Sequence, residues 1–536
     1  MSDLVIERLD HLGVIAGVIK DLGIVELIDA RISPEAKEEI TTGEAIAGMI
    51  LNGLGFSDRP LSLTPQFFQN KPLSVLFREG VEADHFNRFK LGRSLDKAYG
   101  YGCDQLFSEL AVSVCDQEDV DLRFQSLDTT TFSLTGEYVP EEDESAIRIV
   151  HGYSKDHRPD LKQAVLETIV SQDGGVPLVC KSWDGNASDS KIFQDRSAAL
   201  VGSFQSSEAP RYLVADAKLY TEESATHLSH IPFITRIPET LTVVKDMIQQ
   251  SWDLNNWKVV SQSLSYQRID HCHYGIAQRW LVIYSKDAER RTKKTLDKGI
   301  IREYKSIQKK ILHLQADRFN SEQDARKALS AITKKLKYHR IEKIDLKQHI
   351  RYAKKGRPTP NTPIKDIRWQ INAYFLPDKE KIATAQKQKA TFVIGSNVPD
   401  DDLSDEEVIR AYKGQSAVET GFRFLKDPLF FVSSLFVKKP ARIQALLMVM
   451  TLALLVYSVA QRRMRNALEA QQETLPNQIG IPTSRPTLRW VFQMLDGIHR
   501  VILNTNILID GLTDLRIKIL KLFGLTVQHI YQISSA

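Results

Sequence analysis

The chain has few of the residues that build disulfide frameworks or zinc ribbons. Its 536 residues include only four cysteines, and no two of them have CxxC spacing. Sparse cysteines without such spacing are typical of proteins that fold in a reducing compartment. The first residues, MSDLVIERLDHLG, contain acids and lack the basic segment followed by an apolar one that marks a secretory leader. We therefore expect a cytoplasmic protein.

Internal repeats and extended low-complexity tracts are also absent from the sequence, which excludes solenoid and fibrous classes. Hydrophobic residues make up 42% of the chain and charged residues 26%, an ordinary globular composition. Because a chain of 536 residues exceeds what one hydrophobic core supports, we expect about two to four structural units.

Long apolar runs are absent except for one, IQALLMVMTLALLVYSVA, at residues 443–460. This run approaches the length of a bilayer span. It nevertheless contains Gln444 and Ser458, and basic residues flank it on both sides. We expect a buried helix packed against a sheet and no contact with a membrane, with a membrane-spanning helix as the alternative.

The net charge is small but unevenly distributed. Basic residues exceed acidic ones by only 4 over the whole chain. Between Lys286 and Arg357 there are 23 basic and 9 acidic residues, so this segment carries +14 and the remainder −10. A solvated helical arm has such a composition, but so does a surface that binds a polyanion. We call residues 286–357 the basic arm and expect it to bind a polyanion.

Four polar residues share one face of the helix that we expect over residues 412–426. Tyr412, Gln415, Glu419 and Lys426 fall within an arc of about 60° at about 100° per residue. A solvated helix face would show the same pattern, but a site for a phosphodiester and a metal needs such groups together. One carboxylate cannot hold two hard divalent cations. Further acids are therefore expected upstream.

Two upstream acids follow strand-like runs. In FQSLDTTTFSL an apolar run leads to Asp128 in a Thr-rich turn, and in RYLVADAKLY a β-rich run leads to Asp216 just before a helix. An acid at the carboxyl end of a buried strand is where an open α/β sheet presents its chemistry. Taken singly, each of these residues is also typical of a turn or a helix cap.

In this order and with these flanks, the acids resemble those of the DDE transposases of bacterial insertion sequences. The similarity is to the cut-and-paste group with the signature YxxRxxxExxxxxxK. The flanking segments LDTTTF, GYSKDHRPDLKQ and FVIGSN add to it, and the resemblance runs from about residue 80 to residue 500. It implies that Asp128, Asp216 and Glu419 are the catalytic, metal-binding triad.

The resemblance also implies that Tyr412 and Lys426 touch the DNA backbone. Gln415 stands where the family usually has Arg, and an amide can donate to a phosphate oxygen without the charge or the guanidinium fork. Arg236, at the end of PFITRI, and Lys155, in the GYSKDHRP loop, are further candidates for phosphate contacts.

The implied activity is metal-dependent phosphodiester hydrolysis at the ends of a DNA element and strand transfer into target DNA. Two Mg²⁺ ions about 3.5 to 4 Å apart, for which Mn²⁺ can substitute, are the implied cofactors. The implied partners are double-stranded DNA, as terminal inverted repeats and as target, and a second copy of the chain on DNA, at the bacterial nucleoid. The alternatives are a ribonuclease-H-like nuclease without strand transfer and a non-catalytic DNA-binding protein of transposase descent.

The fold class that we expect is α/β, with a ribonuclease-H-like mixed sheet, a large insertion domain and helical N-terminal and C-terminal regions. Ser404 is the predicted cap of the helical region that carries Glu419. The expected domains are a helical DNA-end-binding domain at 1–120, the catalytic domain at 121–236 and 389–470, an insertion at 237–388 with β-rich parts and a basic helical arm at 286–357, and a helical C-terminal region at 471–536.

Overall fold

The computed structural model of the chain divides into two compact units. The first unit comprises Met1–Thr235, Tyr274–Ile276 and Ser396–Ala536, and the second comprises Arg236–His273 and Ala277–Gly395. The structure describes residues 4–57, 60–138, 146–155, 158–189, 191–192, 196, 211–218, 220–353, 357–427, 437–504 and 506–533.

The N-terminal part of the first unit is mainly helical, as expected. Its helices are α1 (Leu12–Asp21), α2 (Ile24–Arg31), α3 (Thr42–Leu54), α4 (Thr64–Phe68), α5 (Leu73–Leu76), α6 (Arg88–Tyr101) and α7 (Cys103–Gln117). Local sequence determines where α3 begins, because Thr41 and Glu44 form a reciprocal capping box. Strand β1 (Leu4–Arg8), which was not predicted, precedes these helices.

A mixed sheet follows the helices. Its strands in the first unit are β2 (Phe124–Leu134), β3 (Lys162–Ser171), β4 (Pro177–Trp183), β5 (Tyr212–Ala215) and β6 (Phe233–Arg236), with α8 (Glu222–Leu228) between the last two. Their order is β4-β3-β2-β5-β6. The first three strands are antiparallel, whereas β5 and β6 run parallel to β2. This arrangement confirms the expected α/β class with a ribonuclease-H-like mixed sheet.

The remaining elements of the first unit lie after residue 396. They are α13 (Asp405–Gly414), α14 (Ser416–Leu425), α15 (Pro440–Ala470), β13 (Leu475–Pro476), β14 (Pro482–Thr483), α16 (Leu488–Met494), β15 (His499–Leu503), β16 (Asn506–Asp510), α17 (Asp514–Lys521) and α18 (Leu525–Ile530). The C-terminal region is therefore not purely helical. Strand β15 pairs with both β1 and β16, so the two ends of the chain share a three-stranded sheet.

The apolar run of residues 443–460 is buried in the core of the first unit. It forms the middle of α15, where all residues from Ala445 to Ala460 are buried. The hydrophobic core that contains it extends from the N-terminal helices to α18. Burial on all sides explains why this helix is apolar around its whole circumference.

The second unit contains the basic arm. Its elements are α9 (Thr242–Leu254), β7 (Lys258–Ser261), β8 (Leu264–His273), β9 (Ile276–Ser285), α10 (Lys286–Ala316), α11 (Glu322–Thr333), β10 (His339–Tyr352), β11 (Ile364–Pro377), α12 (Lys379–Ala390) and β12 (Thr391–Ser396). The strands follow the order β12-β9-β8-β7, and β10 and β11 form a separate antiparallel hairpin.

The basic arm is helical only in its first part. Helices α10 and α11 pack on β11 through a small apolar core that includes Ile311, Leu329 and Ile371. The arm then continues as β10, which pairs with β11 over most of its length. The expectation of a wholly helical arm was therefore wrong, because the backbone of 339–352 finds its hydrogen-bond partners on a neighbouring strand.

Candidate active site

Asp128 and Asp216 lie beside each other on neighbouring parallel strands. Strands β2 and β5 pair so that Leu127 lies opposite Ala215. The residues that follow these two are Asp128 and Asp216. Both acids line one small cavity of about 30 Å³, which has room for about one or two water-sized groups. The topology of the sheet thus brings together two carboxylates that are 88 residues apart in the sequence.

The Thr-rich segment after Asp128 was expected to form a turn, but it is part of a strand. Residues Thr129 to Leu134 continue β2 and pair with β3. Threonine is β-branched and fits a pleated, buried strand, and Thr129, Thr130 and Thr131 are all buried. Asp128 therefore lies within a strand, whereas Asp216 directly follows one, as expected.

Burial and charge act in opposite directions on Asp128. The pKa of its carboxyl is raised to about 6, mainly by burial and further by the nearby charge of Asp216. Lys155, the backbone N–H of Thr129 and Lys218 partly offset it. The Thr129 N–H donates to Asp128 Oδ1 at 2.7 Å, and the Lys218 N–H donates to Asp216 Oδ1 at 2.9 Å. Two carboxylates this close repel each other unless a cation lies between them.

Asp189 is a third acid on the wall of this cavity. Its Oδ1 lies 3.1 Å from Lys155 Nζ and its Oδ2 lies 2.9 Å from Lys218 Nζ. Burial opposes its ionisation, but the hydroxyl of Thr129 and these two lysines outweigh burial and lower its pKa. Asp189 was not predicted as a site residue, because GNASDS is typical of a turn that leads into a helix. Its one signal in the sequence is its place between Asp128 and Asp216, and that signal is weak.

The helix that carries Glu419 is divided at Gln415, so the expected single helix over 412–426 was wrong. Gln172 Nε2 donates to the Ala411 carbonyl oxygen at 2.8 Å, the acceptor that the Gln415 N–H would take in a continuous helix. The Gln415 N–H instead donates to Tyr412 O at 3.2 Å. A side chain that enters the hydrogen-bond ladder is a recognised cause of helix breaks. At Gly414 a Cβ atom would lie only 2.1 Å from Gln172 Oε1, so glycine admits this side chain.

The start of this helical region agrees with the prediction. Ser404 caps α13 and forms a capping box with Glu407. Tyr412 is partly exposed near the end of α13, whereas Gln415 is only 9% exposed at the junction with α14. A residue that contacts a phosphate is expected to be exposed, so the burial of Gln415 was not predicted.

Glu419 lies in the first turn of α14 with an exposed side chain. Helix α14 contacts β2 and β3 of the sheet. Among the residues that the structure describes, no three His, Cys, Asp or Glu side chains gather closely enough to hold a metal ion. The structure therefore joins Asp128 with Asp216 but does not bring Glu419 to them. Lys426 ends α14, and its Nζ lies 5.9 Å from the centre of the Phe132 ring on β2.

The two secondary candidates for phosphate contacts already have partners within their own units. Lys155 Nζ donates to the carbonyl oxygen and the hydroxyl of Thr129, both at 2.6 Å. In the second unit, Arg236 forms an ion pair with Glu239 and lies over the ring of Phe392. Either cation would have to exchange these contacts for DNA.

A family model described as a transposase DDE domain matches residues 121–456, which is more than half of the chain. The chain belongs to the transposase DDE domain family. This membership makes it a DNA transposase, from a family of DNA-cutting and strand-transfer enzymes that generally depend on divalent metal ions. A second model, described as a domain of unknown function (DUF4277), matches residues 4–112 of the transposase.

Other comparisons add less. No curated protein matches the transposase. A similar solved structure is that of the piggyBac transposase synaptic complex with hairpin DNA, at 8% sequence identity and a TM-score of 0.36, covering 92% of this chain and 83% of that chain.

The donor atoms of the cavity in this transposase suit a hard divalent cation. Carboxylate oxygens are the ligands that Mg²⁺ and Mn²⁺ prefer. Asp128 and Asp216 supply such oxygens, and the described residues that line the cavity include no thiol or imidazole. Repulsion between the two acids would also be relieved by a cation. The residues at the cavity therefore fit the metal that the family implies.

Proposed function

We propose that this transposase hydrolyses phosphodiester bonds at the ends of its element and transfers the new 3′ ends into target DNA. In this proposal Asp128, Asp216 and Glu419 are the catalytic residues. The observation that carries it is the placement of Asp128 on β2 and of Asp216 directly after the adjacent parallel strand β5, where both line one cavity. Acids in this position can act on a substrate at the edge of the sheet.

The residues of the site have separate roles in this mechanism. Bound Mg²⁺, or Mn²⁺ in its place, as two ions, supplies an activated water or 3′-hydroxyl and stabilises the leaving oxygen. Asp128 and Asp216 hold the cations, and Asp128 must lose its proton to do so, which its pKa of about 6 permits near neutral pH. Glu419 supplies the third carboxylate from α14.

Five further residues are proposed to contact DNA phosphates. Tyr412 and Lys426 flank Glu419 on α13 and at the end of α14, and Gln415 lies between the two helices. Lys155 and Arg236 complete the set. Gln415 is the weakest member, because it is mostly buried and carries no charge.

The basic arm is proposed to bind the DNA backbone without reading sequence. Lys293, Lys294, Lys309 and Lys310 on α10 and Lys334 and Lys335 after α11 are all exposed. The pair Lys354 and Lys355, which we also expect to contribute, lies outside the described residues. Exposed cations bind phosphates by releasing condensed counterions, so the affinity should fall steeply with salt.

The assembled state is proposed from the family resemblance. The transposase would act as a homodimer that brings together two terminal inverted repeats and a target duplex, at the nucleoid in a bacterial cytoplasm. The mass of the complex on DNA carrying one end, measured by light scattering, checks the stoichiometry. A complex with the mass of two chains and two end duplexes is expected, and a complex with the mass of one chain and one end duplex at all concentrations would contradict the dimer.

The experiment that tests the proposed reaction supplies labelled end DNA, a supercoiled target and Mg²⁺. We expect nicked or cut ends and a joined product that migrates with the target. Cut ends without any joined product would favour a nuclease that does not transfer strands. Binding without cutting would favour a non-catalytic DNA-binding protein.

A further inference from the structure

Asp189 connects two lysines at the edge of the acidic cavity. Its Oδ1 pairs with Lys155 Nζ at 3.1 Å and its Oδ2 with Lys218 Nζ at 2.9 Å, and it also accepts a hydrogen bond from the Thr129 hydroxyl. By contrast, within the described part of the chain, the hydrogen bonds to the side chains of Asp128 and Asp216 come from the backbone N–H groups of Thr129 and Lys218. Both ammonium groups are therefore paired with the one acid that is not proposed to bind metal.

The two lysines lie close enough to compete for the proposed metal ligands. The charges of both Lys155 and Lys218 act on the carboxyl of Asp128. Lys218 is two residues from Asp216, and its side chain is 53% exposed, so it has the freedom to turn toward that carboxylate. An ammonium group paired with Asp216 would occupy the oxygens that a divalent cation needs.

The charge of the cluster depends on Asp189. Three carboxylates and two ammonium groups sum to −1 when all are ionised. Without the Asp189 charge the same cluster sums to 0, so it no longer carries the net negative charge that attracts a divalent cation.

We propose that Asp189 is a positioning residue that holds Lys155 and Lys218 away from the oxygens of Asp128 and Asp216 and keeps the cavity negative enough to bind a divalent cation. The inference rests on the proposed function, since it requires Asp128 and Asp216 to hold the metal. A purely structural ion-pair network would affect folding but not the affinity of the folded protein for metal.

The test is a titration of the full-length chain with Mn²⁺ at pH 8 in the absence of DNA. Binding is measured from the electron paramagnetic resonance signal of free Mn²⁺. Asp189→Asn should weaken Mn²⁺ binding by about tenfold or more, because the cluster loses its net negative charge and both lysines lose their acidic partner. Lys218→Gln should strengthen binding by a few-fold. The double variant Asp189→Asn/Lys218→Gln restores a net charge of −1 and should return most of the lost affinity.

A matched control is Asp184→Asn, which breaks an ion pair of the first unit with Arg148 at 2.6 Å and should leave Mn²⁺ affinity unchanged. Wild-type affinity in Asp189→Asn, or no recovery in the double variant, would overturn the inference. If Asp189→Asn does not fold, as judged by circular dichroism, Lys218→Gln decides alone, and unchanged affinity in that variant overturns it.

Asp216→Asn separates this inference from the proposed function. Loss of Mn²⁺ binding in Asp216→Asn together with wild-type binding in Asp189→Asn would overturn only the role of Asp189. Equal binding by Asp216→Asn and the wild type would show that the cation is not held at this pair of acids, which overturns the proposed metal site and the inference with it.

Discussion

The acidic cavity of the first unit and the basic arm of the second unit use charge in opposite ways. In the cavity, a few acids and lysines are partly buried and interact with one another over about 3 Å. Along α10, basic side chains project into solvent, and only Leu296, Ile307, Ile311 and Leu314 of this 31-residue helix are buried. Buried charges interact strongly and non-additively, whereas exposed ones are screened and act nearly independently.

Charges in the cavity should therefore act on the chemical reaction, whereas charges on the arm should act on the affinity for DNA. A change of one charge in the cavity should alter the reaction, the pH dependence of stability or the binding of metal. A change of one charge on the arm should alter only how strongly DNA is held, by a small increment.

Removal of several arm charges should weaken DNA binding without affecting cleavage at saturating DNA. The variant with Lys293, Lys294, Lys309 and Lys310 replaced by Ala should lose about 10- to 100-fold in affinity near 0.15 M salt, and the slope of log K against log salt should fall by roughly 0.9 per lost contact. The measurement is fluorescence anisotropy over a salt series, on specific and unrelated DNA.

The matched control for the arm is Thr295→Ala/Ser306→Ala, which changes two exposed uncharged residues of the same helix. It should bind as the wild type does. An unchanged salt slope in the lysine variant, with altered self-association or solubility, would make the arm a structural or assembly element.

The raised pKa of Asp128 should make the stability gain from Asp128→Asn depend on pH. Below about pH 4 this carboxyl is protonated in both the folded and the unfolded chain, so there is no ionisation penalty for the substitution to remove. Above a pH of about 6, ionisation of the buried carboxyl destabilises the folded chain. Asp128→Asn should therefore raise the free energy of unfolding by about 2 kcal/mol at pH 8 and by little at pH 4.

Urea unfolding at both pH values measures this effect. Asp160 gives a control of opposite sign, because its hydrogen bond with Arg158 lowers the pKa of its carboxyl. The Asp160→Asn variant should therefore become less stable than the wild type as the pH rises above the ordinary pKa range of an aspartate. A stability gain for Asp128→Asn that is equal at pH 4 and pH 8 would show that burial does not control this group.

The close contact between Gly414 and Gln172 gives a smaller effect, on the position of α14. Gly414→Ala should destabilise the protein by about 1 to 3 kcal/mol, since the new methyl group overlaps the Gln172 amide. Gln172→Ala removes that overlap. The double variant should therefore lose less unfolding free energy than the sum of the losses in the two single variants. Additive effects in denaturant unfolding would show that Gln172 does not break the helix.

The smallest expected effect is that of Gln415→Arg. If the side chain reaches DNA, a guanidinium in place of the amide should strengthen binding to a 5′-phosphorylated end a few-fold, because the hydrogen bond gains charge. Lys426→Ala should weaken that binding. If Gln415→Arg leaves end binding unchanged and lowers stability, the residue belongs to the helix junction and not to the DNA surface.

The parts of the fold that sequence could predict are those with a strong local pattern. Ser404 caps the predicted helix, and the apolar run is the buried α15. The placement of Asp216 after a strand followed from a short β-rich run in the same way. Each of these features depends on near neighbours in the chain.

The features that sequence could not predict depend on residues far apart in the chain. The break at Gln415 is caused by Gln172, 243 residues earlier. Asp189 is linked to Lys155 and Lys218 only by folding. Strand β10 carries many charges and little apolar alternation, so its pairing with β11 leaves no local signal. The roles of Asp128, Asp216 and Glu419 remain predictions until variants are assayed.

Cleavage should depend on the acids of the first unit, whereas DNA binding should depend largely on charge elsewhere. A single-turnover cleavage assay of Asp216→Asn at low salt, with saturation of the DNA checked by a parallel gel shift, separates the two. We predict cleavage at least about 10³-fold slower in Mg²⁺, with end binding within a few-fold of the wild type. Cleavage at a wild-type rate by Asp216→Asn would contradict the account, because the acid beside Asp128 would then have no part in the reaction.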